Sequence, residues 1–127
     1  MNKKRNNLIE SFLLKINVET LPKQLKELIE LIGPVDTYTF LCHYGGKIKY
    51  IAKNPSRTEM KHVMNETALK RLCANYGGST IEVPKQEHLD RQVRNKLIKN
   101  ASMEGVSRSQ LATRFNLSVR HIGNIKK

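Results

Sequence analysis

Apolar residues return every three to four positions over most of this chain, with breaks at glycine, proline and asparagine, and that rhythm predicts a mainly helical protein with short strands. Met1 to Asn7 is polar and basic and reads as a frayed arm. From Leu8 to Val18 apolar residues stand at 8, 9, 12, 13, 14, 16 and 18. The segment begins helix-like and becomes denser than a surface helix needs, so it is expected to pack on a partner chain. Leu21, Leu25, Leu28, Ile29 and Ile32 form the stripe of an amphipathic helix, with Pro22 in its first turn and Gly33 closing it. Pro34 forbids continuation but starts another helix, predicted from Pro34 to Tyr44 with Val35, Tyr38, Leu41 and Cys42 turned inward. Gly45-Gly46 ends it. Residues 47–53 then read as a strand, with Lys47, Lys49 and Lys53 on one face and Ile48 and Ala52 on the other. Asn54-Pro55-Ser56 is a turn.

The pattern then repeats. A shift of 32 positions lays Tyr44-Gly45-Gly46 on Tyr76-Gly77-Gly78, Ile51 on Val83, Lys53 on Lys85, Ile32 on Met64 and Phe40 on Leu72. The second copy predicts a helix around Arg57 to Met64, a break near Asn65, a helix from Glu66 to Tyr76 and a strand from Ser79 to Val83 that Pro84 stops. Two lone short strands are unstable unless they pair. They make a ribbon either within one chain or between two chains. A long helix follows from Glu87 to Met103, with Leu89, Val93, Leu97, Ile98 and Ala101 inside and Arg91, Arg94, Lys96 and Lys99 mostly outside. Gly105 ends it.

The stretch from Val106 to Ile125 reads as a helix-turn-helix. Ser107 caps a helix and Gln110 reaches back to it, forming a capping box. Leu111 and Phe115 share one face, and Ala112 is small enough for a close helix crossing. Asn116 falls in the turn, where φ > 0 is required. Leu117 packs the turn, Ser118 caps a second helix, and Ile122 and Ile125 face back. With Glu87–Met103 as a first helix this makes a three-helix domain.

Charge narrows the partner. The chain has 127 residues and a formal net charge of +12, which on so short a chain points to a polyanion. No long apolar run and no basic amphipathic helix with aromatics on its apolar side favours a membrane surface. No apolar run of signal-peptide length follows the basic start, so a cytoplasmic location is expected. Cys42 and Cys73 each lie in a helix-like apolar pattern and read as reduced core thiols. His43, His62, His88 and His121 are scattered singly, so no metal site and no cofactor are expected. Carboxylates are few and spread out, the Gly-Gly pairs precede rather than follow their strands, and no nucleophile–base set is placed by any motif; no catalytic residue is expected.

With these segments in place the chain resembles the Mor transcription activator family of phages and prophages. The resemblance rests on Leu21-Pro22 opening a helix that ends Leu31-Ile32-Gly33, on Tyr76-Gly77-Gly78 before a strand ending Val83-Pro84-Lys85, on the run from Leu89 to Ile98, and on the helix-turn-helix. It implies an N-terminal dimerisation domain of helices and a strand, a C-terminal helix-turn-helix domain, a homodimer on an imperfect inverted repeat in double-stranded DNA, and contact with RNA polymerase. The corresponding division is 1–20 as arm and helix, 21–85 as an α+β dimerisation domain holding the repeat (21–53 and 57–85), and 86–127 as the helix-turn-helix domain. The chain departs from the pattern in carrying the Gly-Gly-strand unit twice, with Ala52 where the second copy has Pro84.

On the second motif helix, residues 118–127, Arg120 is the expected base reader, since arginine near the start of such a helix reaches guanine O6 and N7 with two bonds. Asn124, one turn on, suits adenine, Val119 suits a thymine methyl, and Ser118 joins the same base-facing set. Ser107, Arg108, Ser109 and Lys127 are placed for phosphates. His121 either contacts a phosphate or covers the domain edge. Lys47, Lys49, Lys53 and Lys85 form a second basic set, either a solvated sheet face or a contact to DNA backbone. The competing function class is a protein-interaction module in which the repeats bind a host or phage protein and the helix-turn-helix is incidental or autoregulatory. RNA binding would want an aromatic strand platform, which the sequence lacks.

Overall fold

The computed structural model describes residues 3–127, with side-chain surroundings from Ile9 onward. The described residues form seven α-helices and one two-stranded sheet: α1 (Lys3–Leu14), α2 (Lys23–Ile32), α3 (Pro34–Tyr44), β1 (Ile48–Ile51), α4 (Glu66–Tyr76), β2 (Ser79–Glu82), α5 (Glu87–Met103), α6 (Arg108–Phe115) and α7 (Val119–Lys126). They fall into two compact units, one running to Leu89 and one from Asp90 to Lys127.

The frayed arm is not what the backbone shows. Met1 and Asn2 lie outside the described residues, and from Lys3 the chain is already helical. α1 packs on α3 of its own chain, with Leu13 fully buried and Leu14 exposed.

In the first unit α2 lies against α3 and α4. Its stripe is the predicted one: Leu21, Leu25, Leu28, Ile29 and Ile32 are all buried. α3 has the predicted bounds but a different inner face. Thr37, Phe40 and Leu41 are buried, Val35 and Tyr38 are half-buried, and Cys42 is exposed. Apolar residues lie nearly all round this helix, so the stripe was not unique in sequence. Cys73 on α4 is buried, as expected of a core thiol.

The strands pair with each other within the chain. β1 and β2 run antiparallel with Ile48 opposite Glu82, Lys49 opposite Ile81, Tyr50 opposite Thr80 and Ile51 opposite Ser79. The two Gly-Gly turns enter this ribbon by the same bonds. Gly45 N–H donates to Leu41 O and Gly77 N–H to Cys73 O, each at 2.8 Å. Gly46 N–H then donates across to Val83 O (2.9 Å) and Gly78 N–H to Ile51 O (2.8 Å). Gly46 and Gly78 sit at φ 79° and 84°, a conformation that a side chain disfavours. Donors and acceptors correspond residue for residue under the 32-position shift. Burial follows the same shift: Leu28 and Ile32 match Met60 and Met64, Phe40 matches Leu72, Leu41 matches Cys73, and Ile51 matches Val83, all of them buried. The ribbon and its flanking helices therefore have an internal two-fold relation.

The copies differ where the sequence differs. The helix expected around Arg57 to Met64 is instead two short 3₁₀ turns, Pro55–Arg57 and Glu59–His62. Arg57 and Lys61 stand where α2 has Leu25 and Ile29, so only Met60 and Met64 remain to be buried and the stripe is too narrow to hold a helix. Asn54 and Thr58 cap the two turns instead, accepting from Ser56 N–H (3.0 Å) and Met60 N–H (3.3 Å). Asn65 caps α4 through bonds from Thr67 and Ala68 N–H.

The predicted strand faces are reversed. Ile48 and Tyr50 point to solvent, 76% and 57% exposed, while Ile51 is buried on the face of Lys49. Lys49 lays its stem along that face, and its Nζ lies 3.3 Å from Glu59 Oε1 and 4.7 Å from the centre of the Tyr44 ring. The outer edge of β2 is partly closed by Gln24, whose Nε2 donates to Glu82 O at 2.7 Å.

Candidate nucleic-acid interface

The second unit is held by Ile98 of α5, Leu111 of α6 and Ile122 of α7, each with no exposed surface. Ala101, Val106, Ala112, Phe115, Leu117 and Ile125 pack round them. Three apolar anchors on three helices leave little freedom in the crossing of α6 and α7, and the local chemistry fixes the rest.

α6 starts with the predicted capping box. Ser107 Oγ accepts from Gln110 N–H (3.2 Å), and Gln110 Oε1 accepts from Ser107 N–H (3.1 Å). The two bonds satisfy N–H groups that a helix start leaves without partners. α6 ends at Asn116, at φ 54° and ψ 48°, the only non-glycine residue with positive φ among those described. Asparagine tolerates this region better than most residues, and the reversal lets Leu117 N–H reach back to Ala112 O (3.0 Å). Ser118 then caps α7 by accepting from His121 N–H at 3.0 Å. Helix, turn and helix stand where the sequence puts them.

The candidate side chains divide as follows. On α7, Ile122 is buried and Ile125 half-buried against α5 and α6, while Ser118, Val119, Arg120, His121, Asn124 and Lys127 are exposed. Arg120 and Asn124 are four apart and Lys127 three beyond, so they line one face of the helix. That face offers a guanidinium fork, an amide and an ammonium. Val119, 48% exposed, adds an apolar contact at its start. Ser118 has already committed an oxygen lone pair to its cap. At the start of α6, Ser107, Arg108 and Ser109 are all exposed, and the Ser107 hydroxyl is engaged on both sides with Gln110. The second basic set is less coherent than expected. Lys49 is drawn into its pair with Glu59, whereas Lys47, Lys53 and Lys85 are exposed.

One contact is not legible from spacing. A Cβ placed on Gly123 of α7 would meet Arg108 of α6, with Nη1 at 3.2 Å and Cζ at 3.5 Å. The guanidinium of Arg108 thus lies beside Gly123 of α7 rather than out beyond the start of α6.

Among the described residues no group of three or more His, Cys, Asp and Glu is arranged to hold a metal ion, and no helix is long and apolar enough to cross a membrane. No curated protein and no solved structure matches the chain. The family model of the Mor transcription activator family matches residues 20–127. That span takes in both copies of the repeat and all of α5, α6 and α7, and the chain belongs to the Mor transcription activator family, a family of regulators rather than enzymes.

Proposed function

We propose that the protein is a sequence-specific double-stranded-DNA-binding transcription regulator that places α7 in the major groove. One observation carries the reading: α7 is locked from behind by Ile122 and Ile125 while Arg120, Asn124 and Lys127 stand exposed along its other side. A helix so held presents donors to base edges at fixed spacing. Arg120 reads guanine, Asn124 reads adenine, and Val119 and Ser118 complete the base-facing set. Ser109, His121 and Lys127 hold phosphates, with Ser107 fixing the α6 end that faces them. The net charge of +12 supplies the salt-sensitive attraction common to all sequences. The 21–85 and 86–127 segments serve as assembly and DNA-reading parts, and the regulator works in the cytoplasm beside RNA polymerase.

Two chains, each with one such helix pair, would read an inverted repeat as a homodimer. The intrachain ribbon favours a second arrangement. β1 and β2 already pair along their inner edges, so a homodimer would form through the outer strand edges or other surfaces, and one chain acting alone would read one half-site. Selection of bound duplexes from a random DNA pool tests the function and separates the arrangements. Half-sites about one helical turn or a multiple apart establish a dimer. A single enriched half-site establishes the one-chain unit. Binding with no enriched motif that vanishes as salt rises would refute sequence-specific recognition and favour the protein-interaction module.

A further inference from the structure

α7 carries a glycine in its interior, and its backbone does not ask for one. The glycines at positive φ among the described residues are Gly33, Gly46, Gly78 and Gly105, not Gly123. Glycine is a far poorer helix former than alanine, so an ordinary helical position on a half-exposed face would be better filled by almost any other residue. What distinguishes the position is its neighbour. The three heavy atoms nearest a Cβ on Gly123 all belong to Arg108: Nη1 at 3.2 Å, Cζ at 3.5 Å and Nε at 3.9 Å. The first distance is shorter than an ordinary contact, so an alanine methyl would push the guanidinium a few tenths of an ångström off this position.

Gly123 lies between Arg120 and Lys127 and next to Asn124, on the side of α7 that the proposed function turns toward DNA. A guanidinium resting there belongs to that surface, although its Cα is on α6. We infer that Arg108 is a base-reading residue, seated on the recognition face by the missing side chain of Gly123, and that it takes a guanine beside the bases read by Arg120 and Asn124. The planar fork of arginine suits guanine O6 and N7, and a seat against backbone restricts the fork before DNA arrives. The inference rests on the helix-turn-helix reading of α6 and α7.

The test uses the full-length chain. A motif is first selected for the wild-type protein, and affinities are then measured on that duplex and on duplexes changed at one base pair at a time. The variants are Arg108→Lys, which keeps the charge but not the fork, Gly123→Ala, and the two combined. Thermal midpoints are recorded alongside. Arg108→Lys and Gly123→Ala are each expected to abolish about tenfold discrimination at the same base pair and to leave the other pairs as they were. The combined variant should lose no more than either alone, and Gly123→Ala should keep or raise the thermal midpoint. Arg108→Lys with an unchanged preference profile would return Arg108 to a phosphate contact and overturn the inference. So would losses that fall on different base pairs or add in the combined variant. A wild-type protein that enriches no motif removes the DNA reading itself, a failure distinct from these.

Discussion

Lys49 and Ile81 stand directly opposite each other at the centre of the ribbon, and they occupy the same position in the two copies of the repeat, 32 residues apart. An antiparallel pair of equivalent residues marks an axis of internal symmetry. The two Gly-Gly turns are then one structural device used twice, and damage to either is expected to have a similar effect.

A methyl on Gly45 would come within 2.5 Å of Leu41 O and 3.2 Å of Pro84 O. A methyl on Gly77 would strike Cys73 O and come within 2.9 Å of Lys53 Cα. Backbone must move in both cases. Gly45→Ala and Gly77→Ala are each expected to lower unfolding stability by about 1–3 kcal/mol. Denaturant titration measures both, and one harmless substitution beside one damaging one would show that the turns are not equivalent.

Thr37 is buried in the first unit, and its Oγ1 has no hydrogen-bond partner among the described residues. The equivalent residue in the second copy is Leu69, also buried. A buried hydroxyl without a partner costs about 1–3 kcal/mol, and valine keeps the branched shape without it. Thr37→Val is therefore expected to raise the denaturant midpoint with its slope unchanged. A lower midpoint would mean that the hydroxyl is satisfied in solution.

Burial raises the Asp36 carboxyl above its ordinary pKa. The folded chain then holds a proton that the unfolded chain has released, in the window from about 3.9 up to the raised value. In that window stability falls as pH rises, and the ionised group is a burden to the fold at neutral pH. Asp36→Asn is expected to raise the thermal midpoint at pH 7 and to lose that advantage on acidification to about pH 3. An advantage that is constant from pH 3 to pH 7 would point to a cause other than the charge.

On the reading side, Arg120→Ala is expected to relax base preference, with a loss of about 1–3 kcal/mol of discrimination at one base pair. Lys127→Ala should weaken binding to all duplexes alike and make the salt dependence shallower by about one unit. Competition binding against changed duplexes at several salt concentrations distinguishes the two patterns. If Arg120→Ala leaves preference and affinity untouched, α7 does not dock as proposed.

What was legible in the sequence follows from how unambiguous each local signal is. α2, α5, α6 and α7 have one apolar stripe each and explicit start or stop residues, and Asn116 marked its turn through the conformation it tolerates. α3 is apolar on several sides, so only the surrounding helices decide that Phe40 goes in and Cys42 out. β1 has apolar residues of both parities, Ile48 and Tyr50 against Ile51, and a lysine whose stem can be buried while its charge is answered by Glu59. The side chains at Gln110 and Ser118 are local and could be read from spacing, whereas the meeting of Arg108 with Gly123 depends on the crossing of two helices and could not.

The ribbon's closure within a single chain has a consequence for dosage. A sheet shared between two molecules exists only as far as mass action allows and thins out as the protein becomes scarce. Here one tether joins the two strands, and their local concentration is set by its length and stiffness, not by how many copies a cell contains. The pairing of these two strands therefore needs no second copy.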